Sequence, residues 1–217
     1  MKIFFPLLLY FCLCTLLFWG CSSPKTNAAD SIKAIYDLYI LGDASGISAL
    51  GMTTEDIAAA QQAYDNSLKE MIRSNFAASG QVIAEDTLEE LCAVRKEAFA
   101  KMSASVEVRD ESDGKATVVI HTTYFNESAL DADAFYQAKE ETLQMFFDAP
   151  EEQQAYLMDV YTQNLITAYQ NVSPSLDTCD VTVECVVHNK TWVPASMSSF
   201  GADLALALTG RNGIDES

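Results

Sequence analysis

The stretch SVEVRDESDGKATVVIHTTYF, residues 105–125, decides the fold class. Val106 and Val108 alternate with charged residues, and apolar and polar positions alternate again from Ala116 onward. A period of two residues is typical of β-strands, so these two runs, joined by a turn-rich loop at residues 110–115, predict a β-hairpin. The other face of the second strand is also fairly apolar, which predicts some cover on both faces of the sheet.

A second hairpin follows later in the chain. Alternate positions of residues 179–187 are apolar, Asn189 and Lys190 suit a tight turn, and Pro194 ends the returning strand. Together, the two hairpins predict an antiparallel sheet of about four strands.

Apolar residues at helical spacing predict six helices around the two hairpins. The order ααα-ββ-αα-ββ-α predicts an α+β fold, in which helices pack against the antiparallel sheet. No internal repeat interrupts residues 30–210, which we interpret as one domain, and residues 211–217 as a frayed tail. The predicted helices cover roughly residues 29–41, 53–80, 86–102, 131–147, 148–173 and 198–210.

Side chains near the predicted helix starts suit capping. We expect Thr53, Asp86 and Asp148 to cap helices, each with an acidic residue three positions later in a capping-box pattern. Asp131 and Asp133 fit the start of the fourth helix, where the helix dipole favours negative charge.

The N-terminus has the pattern of a secretory signal. Lys2 is the only charged residue before an uncharged run from Ile3 to Trp19, and small and polar residues follow this run. The run lies at the short limit for a membrane span, for which about 20 residues are typical.

The end of this run, LFWGCSS at residues 17–23, resembles the lipobox of bacterial lipoproteins. Gly20, Cys21 and the serines after them match that pattern. Phe18 and Trp19 depart from it, because the lipobox favours leucine followed by a small residue at these positions.

The resemblance implies that residues 1–20 are removed and that Cys21 carries a lipid. A cysteine of this kind bears a diacylglyceryl group, and two acyl chains are enough for stable anchoring. Residues 21–29 would then tether an extracytoplasmic domain to the bacterial cell membrane. The alternative is an uncleaved N-terminal anchor helix, which leaves the domain on the same side of that membrane.

Charge limits the classes of partner. The chain has 31 acidic and 13 basic residues and a formal net charge of −18. Nucleic-acid binding requires a basic footprint, which the sequence lacks, so we exclude nucleic acid as a partner. The same charge repels anionic lipid head groups and wall polymers, whereas cationic or neutral partners remain open, and solubility is the simplest reason for it.

The cysteines that follow the N-terminal region do not indicate catalysis. Cys179 and Cys185 are about 20 Å apart on one predicted strand, so at most one disulfide, from Cys92 to one of them, is conceivable. Buried free thiols are the simpler interpretation. A cysteine nucleophile would need His121 or His188 as its base, but all three cysteines lie on apolar faces, where a thiolate is disfavoured.

Other chemical sites are weakly indicated. The zinc-ligand spacing Cys-x-x-Cys is missing, and the stretch at residues 110–114 fails as a calcium loop because Arg109 occupies its first position. Acidic pairs at residues 140–141 and 151–152 suit solvated helix faces. The sequence contains no phosphate-binding loop or Gly-x-Ser-x-Gly elbow. We therefore assign no catalytic residue, metal ligand or cofactor.

Aromatic residues on the predicted strands offer two interpretations. Tyr124, Phe125 and Trp192 could line a ligand pocket in a curved sheet, or they could pack in the core. Core packing is the simpler of the two, so the ligand-binding residues stay unassigned.

Residues 29–210 resemble an uncharacterised family of lipoproteins from Gram-positive, often gut-dwelling, bacteria. The resemblance lies in a Tyr-rich first helix ending in LGD, the stretch LGMTTED at residues 50–56, the dipeptide TW at 191–192 and the start of the last helix, SSF at 198–200. It implies a cystatin-like or nuclear-transport-factor-like cone, in which a curved antiparallel sheet wraps helices. No catalytic motif comes with this family, and Cys21 is the one functional residue it implies.

Three functional hypotheses follow. The first is a membrane-anchored binding or accessory domain without catalytic activity. The second is an enzyme that uses a pocket in the cone, which a carboxylate or His121 in that pocket would favour. The third is a structural envelope protein that acts through protein contacts, which an exposed apolar patch would favour.

Overall fold

The computed structural model describes residues 26–210. The predicted signal at residues 1–20, the lipidation site Cys21 and the predicted tail at residues 211–217 lie outside the described residues. No helix within residues 26–210 combines the length and the apolar character needed to cross a membrane.

The order of the elements confirms the predicted α+β class. A π-helical turn, Asp37–Leu41, continues the first helix, and a 3₁₀ turn, Ile47–Leu50, precedes the second. The helices and strands are α1 (Ala28–Tyr36), α2 (Thr54–Ala78), α3 (Glu85–Phe99), β1 (Ala104–Ser112), β2 (Lys115–Thr123), α4 (Glu127–Thr142), α5 (Pro150–Asn171), β3 (Thr178–His188), β4 (Thr191–Pro194) and α6 (Met197–Leu208).

The four strands form one antiparallel sheet in the order β1-β2-β3-β4. Although α4 and α5 separate β2 from β3 in sequence, the two strands pair continuously from Lys115 opposite Val186 to Thr123 opposite Thr178. One face, which we call the inner face, carries the buried alternate residues of both central strands. These are Ala116, Val118, Ile120, Thr122, Cys179, Val181, Val183 and Cys185.

The other face of the sheet, the outer face, is more open than the sequence predicts. Val119 is fully buried there, but Asp180, Thr182 and Glu184 on the neighbouring strand are exposed. Apolar character on the outer face of β2 is therefore confined to its centre.

Both hairpins close through two-residue turns. The loop expected at residues 110–115 is shorter in the structure, because β1 continues to Ser112 and only Asp113 and Gly114 turn the chain. Both residues have positive φ, as a type I′ turn requires. Asn189 and Lys190, also at positive φ, form the predicted turn of the second hairpin.

Helix capping matches the prediction at α2 and differs at α3 and α5. Thr53 and Asp56 form a reciprocal capping box at the start of α2. The predicted caps Asp86 and Asp148 are wrong: α3 begins at Glu85 after an N-cap without a side-chain bond, and Pro150 opens α5 in the same way. Proline at the first helical position has no N–H to satisfy, which reduces the need for a cap.

The fourth helix begins earlier than the sequence predicts. The side chain of Asn126 accepts a hydrogen bond from the backbone N–H of Ala129 and starts α4 at Glu127. Asp131 and Asp133 therefore lie beyond the first turn, and the prediction that they mark the helix start is wrong.

The molecule has a sheet layer and a helical layer that share one hydrophobic core. In the sheet layer, α1 and α6 contact the strands, and the Tyr36 hydroxyl on α1 lies 2.7 Å from the hydroxyl of Thr122 on β2. In the helical layer, α4 packs on α5 and α3 packs on both α2 and α5. Phe125 joins the layers through edge contacts with Phe99 and Tyr169.

Candidate functional site

A cavity of about 240 Å³ lies within the helical layer and is the candidate functional site. Side chains from α2, α3 and α5 line it, and Phe135 of α4 completes the wall. Its lining also includes Ser79 at the C-terminal end of α2 and the exposed Gln154 in the first turns of α5. We call it the helical cavity.

Helical periodicity explains why these side chains face one another. On α2, Met71, Ile72, Asn75, Phe76 and Ser79 recur at spacings of one, three or four and so share one face. The same rule places the cavity residues of α5 on one stripe. These are Gln154, Leu157, Met158, Tyr161, Leu165 and Tyr169.

A buried ion pair lies beside the cavity, because its arginine, Arg95, belongs to the lining. The Arg95 Nε and Nη2 donate to the two carboxylate oxygens of Glu127, at 2.6 and 3.2 Å. The Tyr169 hydroxyl donates to Glu127 Oε1 at 2.5 Å, and Arg95 also lies over the Phe99 ring, 4.3 Å from its centroid. Arg95 and Glu127 are only 3% and 5% exposed. We call Arg95, Glu127 and Tyr169 the buried network.

Burial and charge shift the pKa values of two members of the buried network, Arg95 and Tyr169. Burial, the largest single effect, lowers the pKa of Arg95, but its acidic neighbours, Glu127 first among them, together outweigh burial and raise that pKa above its ordinary value. Burial, aided by the negative charge of Glu127, raises the pKa of the Tyr169 hydroxyl well above its ordinary value. Tyr169 is therefore a neutral donor, and the guanidinium has its counter-charge in place.

A second carboxylate lies one helical turn after Glu127 and has a different environment. The Tyr161 hydroxyl donates to Asp131 Oδ1 at 2.5 Å. Burial raises the pKa of Asp131, although the bond from Tyr161 opposes this effect. Among residues 26–210, no basic side chain lies within ion-pair distance of Asp131. Asp131 therefore accepts its hydrogen bond from a neutral tyrosine, whereas Glu127 is paired with the cationic Arg95.

Besides Ser79 and Gln154, the lining contains the amide of Asn75. Its Nδ2 atom is buried, and no hydrogen-bond acceptor of the described residues reaches it. Buried donors in folded proteins nearly always have a partner, so Asn75 Nδ2 is an exception, and a water-sized molecule in the cavity does not reach it.

The structure places the other predicted candidates away from the helical cavity. His121 lies on the outer face, where its Nδ1 is 2.6 Å from Asp180 Oδ1, and His188 lies at the exposed end of β3. Cys92, Cys179 and Cys185 are buried free thiols, so the conceivable disulfide is not formed. Burial raises the pKa of each of the three thiols, to about 12 for Cys185.

The aromatic residues that the sequence places on strands, Tyr124, Phe125 and Trp192, do not line this cavity. Phe125 and Trp192 are buried in the core, as the simpler interpretation expects, and Tyr124 packs against that core. Sequence reasoning missed the cavity itself. The sequence feature that could have indicated it is Arg95. This charged residue lies at helical spacing from Leu88, Leu91 and Phe99, on the buried stripe of α3.

A second hollow, of about 330 Å³, lies beside the π-helical turn. Leu38, Gly42 and Tyr64 line it, together with Asp65 and Lys96, whose ion pair at 3.0 Å is half-exposed.

Residues 26–210 contain no group of three or more histidine, cysteine, aspartate or glutamate side chains that could hold a metal ion. The helical cavity is lined mostly by apolar side chains, whereas the second hollow includes a half-exposed ion pair. We therefore take the helical cavity as the candidate site.

Comparison with known proteins shows the fold. No protein-family model and no curated protein matches the sequence. Among solved structures, the chain is similar to YcdA of Bacillus subtilis subsp. subtilis str. 168, described as a predicted lipoprotein, with a TM-score of 0.59 and 19% sequence identity. The similarity covers 83% of this chain and 55% of the YcdA chain, so the chain spans about half the length of that protein.

Proposed function

We propose that this protein is a bacterial lipoprotein, held outside the cytoplasm by a lipid on Cys21, whose helical cavity binds a small molecule. The lipobox resemblance at residues 17–23 supports the anchor, and the description of YcdA as a lipoprotein is consistent with it. The helical cavity, with its mostly apolar wall, is the observation that carries the proposed binding function.

Binding without turnover fits the lining of the cavity. Neither a histidine nor a carboxylate is among its lining residues, and its arginine is already paired with Glu127. General acid–base catalysis most often uses such a group, and the two tyrosines of the lining, Tyr161 and Tyr169, already donate their protons to Asp131 and Glu127. The cavity therefore favours the binding hypothesis over the enzyme hypothesis.

The loop between α4 and α5 supports protein contacts as a second candidate function. Leu143, Met145 and Phe146 lie within four residues and are exposed, Phe146 completely. Exposed apolar patches often mark interaction sites.

The anchor is tested in the native bacterium with a labelled lipid precursor. The wild-type protein should take up the label and sediment with membranes, whereas Cys21→Ala should do neither. Labelling of Cys21→Ala would contradict the assignment of Cys21.

The binding function is tested with the mature lipidated protein in phospholipid nanodiscs, carrying ¹³C-methyl methionine. Met71 and Met158 line the helical cavity and serve as reporters, while Met52 and Met197 lie elsewhere and serve as internal controls. We expect compounds from a panel of small neutral aromatic molecules to shift the methyl resonances of the two reporters. The methyl resonances of the two control methionines should not change. Release of a chemically altered compound would favour the enzyme hypothesis, and unshifted reporters would contradict binding in the cavity.

A further inference from the structure

We infer that the helical cavity takes a single unbranched hydrocarbon chain, and that the polar end of this ligand stays where Ser79 and Gln154 belong to the lining. This inference rests on the proposed binding function and adds the chemical class of the ligand. Three features of the cavity carry it: its length, the change in burial from one end to the other, and the pairing of its polar groups.

The cavity is elongated along the helices that line it. Its lining residues on α5 run from Gln154 to Tyr169, and those on α2 run from Met71 to Ser79. At 1.5 Å per residue these segments extend over about 22 Å and about 12 Å of helix, whereas a sphere of about 240 Å³ is less than about 10 Å across. A compact ligand would therefore contact only part of the lining, whereas an extended chain would follow it.

The two ends of the cavity differ in burial. Exposure falls along α5, from the exposed Gln154 through the half-buried Leu157 to Leu165 and Tyr169, which are only 4% and 3% exposed. Solvent therefore reaches the lining at Gln154 and not at Tyr169. We call the part of the cavity beside Tyr169 the buried end.

Ser79 lies far from the buried end. The ion pair between Asp65 and Lys96 places the middle of α2 beside the part of α3 that carries Arg95. Ser79 follows Asp65 by 14 positions, which is about 21 Å of helix, and Arg95 belongs with Tyr169 to the buried network. An amphiphile therefore fits with its polar end near Ser79 and its chain directed toward Tyr169.

At the buried end, the polar groups of the lining already have partners among the described residues. Arg95 donates to both carboxylate oxygens of Glu127. The hydroxyls of Tyr161 and Tyr169 donate to Asp131 and to Glu127. A polar or charged ligand group would have to break one of these bonds or stay unpaired, and both are unfavourable in a buried site. The part of the ligand at this end is therefore hydrocarbon.

The first test compares two alcohols that each have ten carbons and one hydroxyl group, the linear 1-decanol and the bicyclic decahydro-2-naphthol. Each is titrated onto the mature lipidated protein in phospholipid nanodiscs, and dialysis against buffer fixes its free concentration. The methyl resonances of Met71 and Met158 report occupancy of the cavity. We expect 1-decanol to bind at least about tenfold more tightly, because the compact alcohol leaves the space of about two methylene groups unfilled.

The outcomes separate this inference from the proposed function. Equal or tighter binding of the bicyclic alcohol at both reporters would overturn the inferred chain and leave the binding function intact. A response to aromatic compounds alone would have the same meaning. Reporters that respond neither to the two alcohols nor to any aromatic compound of the panel would overturn the binding function as well.

The second test locates the chain with Leu165→Phe, which adds bulk at the buried end. In wild type, affinity should rise about fourfold for each methylene group added from 1-hexanol toward 1-decanol. In Leu165→Phe, we expect 1-hexanol to bind as in wild type and the rise to stop at a shorter chain. Equal weakening of all the alcohols would overturn the direction of the chain. The first test uses the wild-type protein, so the chain itself is tested even if Leu165→Phe does not fold.

The same chain could come from a free alcohol or from a lipid, and 1-decanoylglycerol separates the two sources. This probe carries a ten-carbon chain on a neutral lipid head group. Tighter binding of the glyceride than of 1-decanol would support a lipid ligand, and the reverse order would support a free amphiphile. Loss of binding for every linear chain would overturn the inference.

Discussion

The outer face of the sheet and the helical layer place similar polar groups in opposite surroundings. On the outer face, His121 bonds to Asp180 at 2.6 Å and Thr117 donates to Glu184 at 3.0 Å, and water reaches both pairs. In the helical layer, Arg95, Glu127 and Tyr169 form bonds of similar length out of reach of water.

Access of water determines what each set of bonds contributes. Water can replace a lost partner on the outer face, so those pairs contribute little to stability. It cannot do so in the buried network, where a group without its partner keeps the full penalty of its burial. The helical layer thus contains the hydrogen bonds whose loss should cost the most stability, and it surrounds the cavity.

The largest predicted effect comes from removing the anion of the buried network. Glu127→Ala leaves the Arg95 guanidinium buried without a counter-charge and should lower the free energy of unfolding by about 3–5 kcal/mol. Urea denaturation measures the change. The double variant Arg95→Met with Glu127→Leu removes both charges and should recover most of the loss. A loss below about 1 kcal/mol for Glu127→Ala would mean that water enters the network.

A smaller effect is expected from Tyr169→Phe. This change removes the hydroxyl that donates to Glu127 Oε1 but keeps the ring, so the free energy of unfolding should fall by about 1–3 kcal/mol. The matched variant Tyr161→Phe removes the donor to the less buried Asp131 and should cost less in the same denaturation experiment. Equal losses for the two variants would contradict the difference in burial.

Asp131 should produce a modest pH dependence. Its pKa is raised in the folded protein, so the folded state binds more protons than the unfolded state, and stability falls as pH rises from about 4 through the folded pKa. Asp131→Asn should therefore be slightly more stable than wild type at pH 7 and equal to it at pH 3. Thermal denaturation across this range checks the sign, and a gain that grows toward low pH would contradict it.

The smallest effect is expected on the outer face. Asp180→Ala removes the partner of His121 at an exposed position and should change the free energy of unfolding by less than about 1 kcal/mol. Thr182→Ala is an exposed control on the same strand. A loss for Asp180→Ala as large as that for Glu127→Ala would break the contrast between the two regions.

Periodicity explains which parts of the molecule could be predicted. The two-residue repeat around Val118 and Val183 identified both hairpins, and Thr53 identified a helix start, because these signals act over a few residues. The caps at Asp86 and Asp148 failed because α3 and α5 start without a side-chain bond there, so a capping pattern in sequence was present but unused.

The buried network could not be predicted in this way. Arg95 and Glu127 are 32 positions apart, and Glu127 and Tyr169 are 42 positions apart. Their pairing depends on how α3, α4 and α5 pack, which no local pattern encodes. Arg95 on an apolar stripe could indicate that a partner exists, but not which one.

The most direct test of the central claim is a crystal structure of the protein with a neutral aromatic compound that shifts the Met71 and Met158 methyl resonances. We predict this probe inside the helical cavity, between α2 and α5, with the Arg95–Glu127 pair intact. An empty cavity, with the probe on the outer face of the sheet or against Phe146, would contradict the account.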